Sequence, residues 1–204
     1  MANITRRATL LSATAALGVT GSACQSESPT NRVKFNHGVA SGDPARDGFV
    51  IWTRITLETA GKVDVQWEVA SDKKFKKNHK KGVFTTGPGR DYTVKVELDG
   101  LTPGQAYYYR FAVGKTRSPV GRSKTLPEGH CKAARFAVVS CSNYPFGYFN
   151  VYDHIAQQEL DAVIHLGDYL YEYGENGYGK RMGIELGRIH NPTHEIISLS
   201  DYRT

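Results

Sequence analysis

Between residues 49 and 113, apolar and polar positions alternate with period two in four separate runs: 49–55, 63–69, 92–98 and 107–113. Such alternation marks strands with one face buried and the other wet. Turn chemistry separates the runs at Gly42-Asp-Pro44, Gly87-Pro-Gly89 and Thr102-Pro-Gly104. Short strands at this spacing predict a small antiparallel sandwich of the immunoglobulin or fibronectin type. Leu101-Thr-Pro103-Gly-Gln-Ala-Tyr107 has the form of a tyrosine corner, in which the Tyr107 hydroxyl bonds back to the chain upstream. Trp52 and Trp67 are then expected to fill the inter-sheet core. Lys73, Lys74, Lys76, Lys77, Lys80 and Lys81 crowd one connection. A solvated hairpin that discourages edge-to-edge pairing accounts for them, with an anionic polymer as the alternative occupant.

After Pro127-Glu-Gly129 the pattern changes. An apolar run at 135–140 predicts a buried strand. The segment 149–160 carries Val151, Ile155 and Ala156 at helical spacing, and 161–166 is a second apolar strand. Two buried strands joined by a helix predict a parallel, right-handed β-α-β unit. Beyond Tyr173 the chain is Gly-rich and then loosely helical. The division expected is a leader and linker over 1–31, an all-β sandwich over 32–128 and the start of an α/β domain over 129–204.

The leader changes how the charge is read. Arg6 and Arg7 precede an apolar stretch at 10–18, and small residues follow at Gly21-Ser-Ala-Cys24. A basic start, a short apolar centre and a small-residue end predict a signal peptide. The stretch is shorter than the ~20 apolar residues a membrane span needs. The paired arginines suggest the twin-arginine machinery, which exports folded proteins, and hence a periplasmic, cell-surface or extracellular location. Cys24 as a lipid-acceptor cysteine and ordinary cleavage near Ala23 are both open. Without Arg6 and Arg7 the formal charge falls from +6 to about +4. That is too mild to indicate nucleic acid, and no groove-reading or base-stacking motif is visible. With 40% hydrophobic and 23% charged residues, wholesale disorder is excluded.

Chemistry concentrates where the two α/β strands end. The first runs into Cys141, and the second into Gly167-Asp168-Tyr-Leu-Tyr171. Ligands of open α/β sheets bind beyond the carboxyl ends of the strands. Neighbouring strands lie ~4.8 Å apart, so Cys141 and Asp168 can share one cation. A turn between Asp168 and Tyr171 would aim both side chains the same way. Thiolate, carboxylate and phenolate together favour a trivalent ion such as Fe³⁺ over Mg²⁺, and Asp168 can bridge to a second metal. Each residue has a plainer reading: Cys141 as a buried small side chain, Asp168 as a helix N-cap, and Tyr171 as packing beside Tyr169 and Tyr173.

A cysteine nucleophile would need a phosphate loop with Arg where Gly147 stands. Cys131 and Cys141 could instead pair as a disulfide, a weaker use for Cys141. The Gly-rich stretch 174–179 lacks the context of a nucleotide loop. His190 and His194 have metal-like spacing interrupted by Pro192. His165 reads as a core histidine or one that supports the ligands.

Val139-Ser-Cys141-Ser-Asn-Tyr144 and His165-Leu-Gly-Asp168-Tyr-Leu-Tyr171-Glu172 together resemble the alkaline phosphatase D (PhoD-like) family. Residues 35–44 and Val50-Ile-Trp-Thr-Arg54 are similar to the opening of its N-terminal sandwich, and His190-Asn-Pro-Thr-His-Glu195 with Ser200-Asp-Tyr-Arg203 to its downstream pattern. The resemblance implies a metallophosphoesterase α/β sandwich after the first domain, of which this chain holds the beginning. It also implies an Fe³⁺ and Ca²⁺ site hydrolysing phosphate mono- or diesters through a metal-activated hydroxide. Cys141 and Tyr171 would bind iron, and Asp168 would bridge iron and calcium. The expectation is an N-terminal fragment of an exported, monomeric enzyme, its remaining ligands lying downstream. The alternative is a secreted or lipid-anchored sandwich module that does not catalyse.

Overall fold

The computed structural model describes residues 33–204. The expected leader, with Arg6, Arg7 and Cys24, lies outside the described residues. The first strands are β1 (Val33–Lys34), β2 (Val39–Gly42), β3 (Phe49–Arg54), β4 (Thr56–Leu57), β5 (Val63–Ala70) and β6 (Lys80–Thr86). They are followed by β7 (Thr93–Leu98), β8 (Ala106–Val113), β9 (Thr116–Arg117) and β10 (Gly121–Lys124). One sheet runs β2-β3-β7, and the other runs β10-β8-β5-β6 with β9 beside β8. All these pairings are antiparallel.

The period-two pattern does what it predicts. Along β8, Tyr107, Tyr109, Phe111 and Val113 are buried, while the residues between them are half-exposed. Along β3, Phe49, Ile51 and Thr53 are buried. The two inner faces meet where the Phe49 ring lies 6.0 Å from Tyr107 and 6.4 Å from Tyr109. Burying such a side chain contributes about 1.5–3 kcal/mol. Thr53, polar and fully buried, donates its hydroxyl to Gly38 O at 2.8 Å. The tyrosine corner forms: the Thr102 N–H donates to Tyr107 Oη at 2.9 Å.

Trp67 shares the parity of Val65 and Val69 and packs against the core, its ring over Gly82. Trp52 corrects the expectation. It shares the parity of Val50 and Arg54, so it stands on the outer face of β3 while Ile51 and Thr53 take the core. In the lysine-rich connection, Asp72 accepts the backbone N–H groups of Lys74, Lys76 and Lys77. The four lysines there, Lys73, Lys74, Lys76 and Lys77, are exposed.

The second part begins with β11 (Phe136–Val139), continues through α1 (Asn150–Ala156) and returns as β12 (Ala162–His165). β11 and β12 pair in parallel with Val139 opposite His165, as the β-α-β reading requires. The helix is shorter than the predicted 149–160. Residues 157–160 instead carry the chain back so that Asp161 can meet Arg135. The Asp161 N–H donates to Arg135 O at 2.9 Å, and Asp161 Oδ2 accepts the Arg135 N–H at 2.9 Å. Two ion pairs dock the β-α-β unit on the sandwich, Arg122–Glu159 at 2.8 Å and Lys124–Asp161 at 2.9 Å, and farther along the second part Arg203 pairs with Asp91. The first two flank a cleft of about 840 Å³. Helices α2 (Lys180–Leu186) and α3 (Leu199–Tyr202) follow. Among the described residues no helix is long and apolar enough to cross a membrane.

Candidate metal centre

The ladder between β11 and β12 does not stop where the strands do. The Leu166 N–H donates to Val139 O at 2.8 Å, the Cys141 N–H to Gly167 O at 3.1 Å, and the Ser142 N–H to Asp168 O at 2.8 Å. The two loops are therefore stitched side by side just past the carboxyl ends of the strands. Cys141 (φ 62°) and Asp168 (φ 52°) both adopt the left-handed conformation, which turns their side chains out of the pleat. For a residue other than glycine that conformation costs on the order of 1–3 kcal/mol, so the surrounding bonds must hold it.

The three expected donors converge. Cys141 Sγ lies 3.5 Å from Asp168 Oδ2, and Tyr171 Oη donates to the same oxygen at 3.1 Å. Asp168 caps no helix: residues 169–174 form bends and irregular chain, and this turn folds Tyr171 back onto the carboxylate. Cys131 and Cys141 are both free and exposed, without a disulfide between them. Tyr169 and Tyr173 do different work. The Tyr169 ring sits 5.0 Å from His165, and Tyr173 stacks on Tyr171 at 5.9 Å.

The electrostatics of the site are set by the closeness of these three groups. The Tyr171 phenol is pushed well above its ordinary value, first by its hydrogen bond to Cys141, then by desolvation and by Asp168. Sulfur and carboxylate neighbours hold the phenolic proton where a positive ion would expel it. Among the described residues no group of three or more His, Cys, Asp or Glu side chains gathers. Here two such side chains are joined by a phenol, bringing a thiol, a carboxylate and a phenol close together. That set would fit an electron-poor ion.

The remaining candidates fall apart from the trio. His194 faces Asp201, with Nε2 3.4 Å from Oδ1. The Gly-rich stretch serves close packing: a Cβ on Gly174 would lie 2.5 Å from Thr193 O. His165, at the end of β12, lies beside the loops that carry these three donors. Its Nδ1 accepts the Gly167 N–H at 3.2 Å, and its Nε2 lies 3.4 Å from both Ser142 Oγ and Tyr152 Oη. Ser142 and Tyr152 were not singled out from the sequence. Nothing in their spacing announces that α1 sets Tyr152 against the residue after Cys141.

Comparison with known proteins agrees with this architecture. Residues 21–127 match the family model described as PhoD-like phosphatase, N-terminal domain, and residues 136–204 match that described as PhoD-like phosphatase. Alkaline phosphatase D of Bacillus subtilis (strain 168) is 47% identical over 178 residues, covering 83% of this chain and 30% of that protein. A solved structure of PhoD superposes with a TM-score of 0.74 at 45% identity, over 83% of this chain and 34% of the other. The chain thus spans about a third of the length of these relatives. With both family models matched in order and a relative 47% identical over 83% of the chain, the chain belongs to the PhoD-like phosphatase family.

Proposed function

We propose that this chain supplies the sandwich and the first metal ligands of an exported phosphatase or phosphodiesterase dependent on Fe³⁺ and Ca²⁺. The carrying observation is the meeting of Cys141, Asp168 and Tyr171 around a single carboxylate oxygen at two adjoining strand ends. Membership of a phosphatase family supports the substrate class, a phosphate mono- or diester. Cys141 and Tyr171 would hold iron, and Asp168 would hold iron and calcium together. When bound, such a metal pair acts as a Lewis acid on phosphoryl oxygens and makes water nucleophilic near neutral pH. This chain's residues fix the position of that chemistry. The stitched loops hold the donors in place, and their negative charge offsets that of the ferric ion. Arg6 and Arg7 address the protein to twin-arginine export.

A chimera tests the reading: residues 33–204 replace the matching part of the Bacillus enzyme, and p-nitrophenyl phosphate and bis-p-nitrophenyl phosphate are the substrates. Hydrolysis should occur, should fall on chelation, and should drop at least 100-fold in Cys141→Ala, the upper range for loss of a metal-supporting group. A chelation-insensitive rate would refute the metal assignment. The rival reading, a sandwich module without catalysis, draws on the buried apolar core, which lies wholly within residues 33–113. An inert but folded chimera would favour it.

A further inference from the structure

His165 is not among the three donors, yet it touches both loops that carry them. Its Nδ1 accepts from Gly167, the residue before Asp168. In the neutral ring the proton then sits on Nε2. That nitrogen faces Ser142 Oγ, next to Cys141, and Tyr152 Oη on α1, each at 3.4 Å. The two hydroxyls are themselves 2.5 Å apart. The Tyr169 ring lies 5.0 Å from the imidazole, tilted against it.

One ring thus spans the β12 end, the Cys141 loop and the helix between the strands. The donors need such a clamp, because Cys141 and Asp168 are both left-handed residues without the freedom of glycine. Two backbone bonds join the loops directly, and one of them holds the Gly167 carbonyl and so the Gly167–Asp168 peptide. The Gly167 N–H to Nδ1 bond holds the peptide before it, between Leu166 and Gly167, so both planes that lead into Asp168 are fixed.

We propose that His165, with Ser142 and Tyr152, is a positioning unit that holds the Cys141 and Asp168 loops in ligand geometry. This rests on the reading of Cys141, Asp168 and Tyr171 as a metal site. Side chains placed behind metal ligands typically change affinity by about 10–100-fold when removed.

Two readouts on the 204-residue chain separate the clamp from the metal. The first is amide hydrogen exchange at Gly167, followed by NMR on metal-free protein. The second is titration with a soluble ferric chelate, followed by the visible phenolate-to-iron charge-transfer band. His165→Leu should speed Gly167 exchange and weaken ferric binding by about 10–100-fold. His165→Asn, whose side-chain oxygen can take the place of Nδ1, should restore slow exchange and most of the affinity. If His165→Leu fails to fold, Tyr152→Phe removes one oxygen atom and should weaken ferric binding in the same direction. Unchanged Gly167 exchange in His165→Leu would overturn the clamp whatever the iron titration gives. Faster exchange with unchanged ferric affinity would overturn the positioning role. A wild-type chain that never develops the band would overturn the metal reading, and the positioning role with it, even with the Gly167 exchange slow.

Discussion

Tyr107 shows how a single side chain closes one end of the sandwich. Its ring packs against Phe49 at 6.0 Å, and its hydroxyl accepts the Thr102 N–H at 2.9 Å. Nearby, the buried Thr125 hydroxyl donates to Thr102 O at 2.7 Å and accepts the Gln105 N–H at 3.0 Å. Tyr107→Phe keeps the ring and removes the hydroxyl, so it should cost about 1–2 kcal/mol. Urea unfolding should show a lower midpoint with unchanged slope, since little surface is altered. Gly82 makes a steric point on strand β6. A Cβ there would stand 2.5 Å from Trp67 Cζ2, with no room for a methyl group under the indole. Gly82→Ala should displace Trp67 toward solvent at a cost of about 1–3 kcal/mol. Tryptophan emission in a Trp52→Phe background should shift to the red.

At the level of elements, Asp161 carries the docking of the β-α-β unit. It binds the Arg135 backbone at the head of β11 and the Lys124 ammonium at the end of β10. Its carboxyl is held below the ordinary carboxylate value, first by Lys124 and then by the Arg135 N–H. A lowered folded-state value means the stabilisation is present above the unfolded value, near 3.9, and is lost as pH falls through the folded one. The stability gap between wild type and Asp161→Asn should therefore be widest near neutrality and shrink below about pH 4, read from thermal melts of the second unit across pH. The legibility of these elements from sequence differs in kind. The period-two runs revealed the strands because burial on one face forces alternation, and the tyrosine corner was readable because all its parts are local. The outward setting of Trp52 is not legible in the sequence, because an indole in a strand reads as core until the parity of Ile51 and Thr53 is known. Cys141, Asp168 and Tyr171 were readable as strand-end residues of one chemical kind. Their left-handed backbone and the His165 contacts to Ser142 and Tyr152 were not, since those contacts join residues 13 and 23 positions apart through tertiary packing.

Across the whole molecule, burial is unevenly divided, and this governs how the chain unfolds. The buried residues of the hydrophobic core run from Val33 to Val113 and cluster in the sandwich, whereas the second part buries Pro145. In the β-α-β unit, Phe136, Val138, Val163, Ile164 and Leu166 remain between 45% and 69% exposed. A parallel pair of strands is normally covered on both faces, so this unit draws little hydrophobic stabilisation from the contacts it makes here. Its docking rests on ion pairs with exposed partners, which contribute about 1 kcal/mol or less each. Local opening should follow this division. In native-state hydrogen exchange, amides of β3, β5 and β8 should exchange only through global unfolding, while those of β11, α1 and β12 open at much lower free energy. Limited proteolysis should remove residues after about Pro127 first. The surviving sandwich should unfold cooperatively, at the midpoint it shows within the 204-residue chain. Equal protection across both units, or collapse of the sandwich once the second unit is cut away, would mean that the ion-paired junction is as strong as the core.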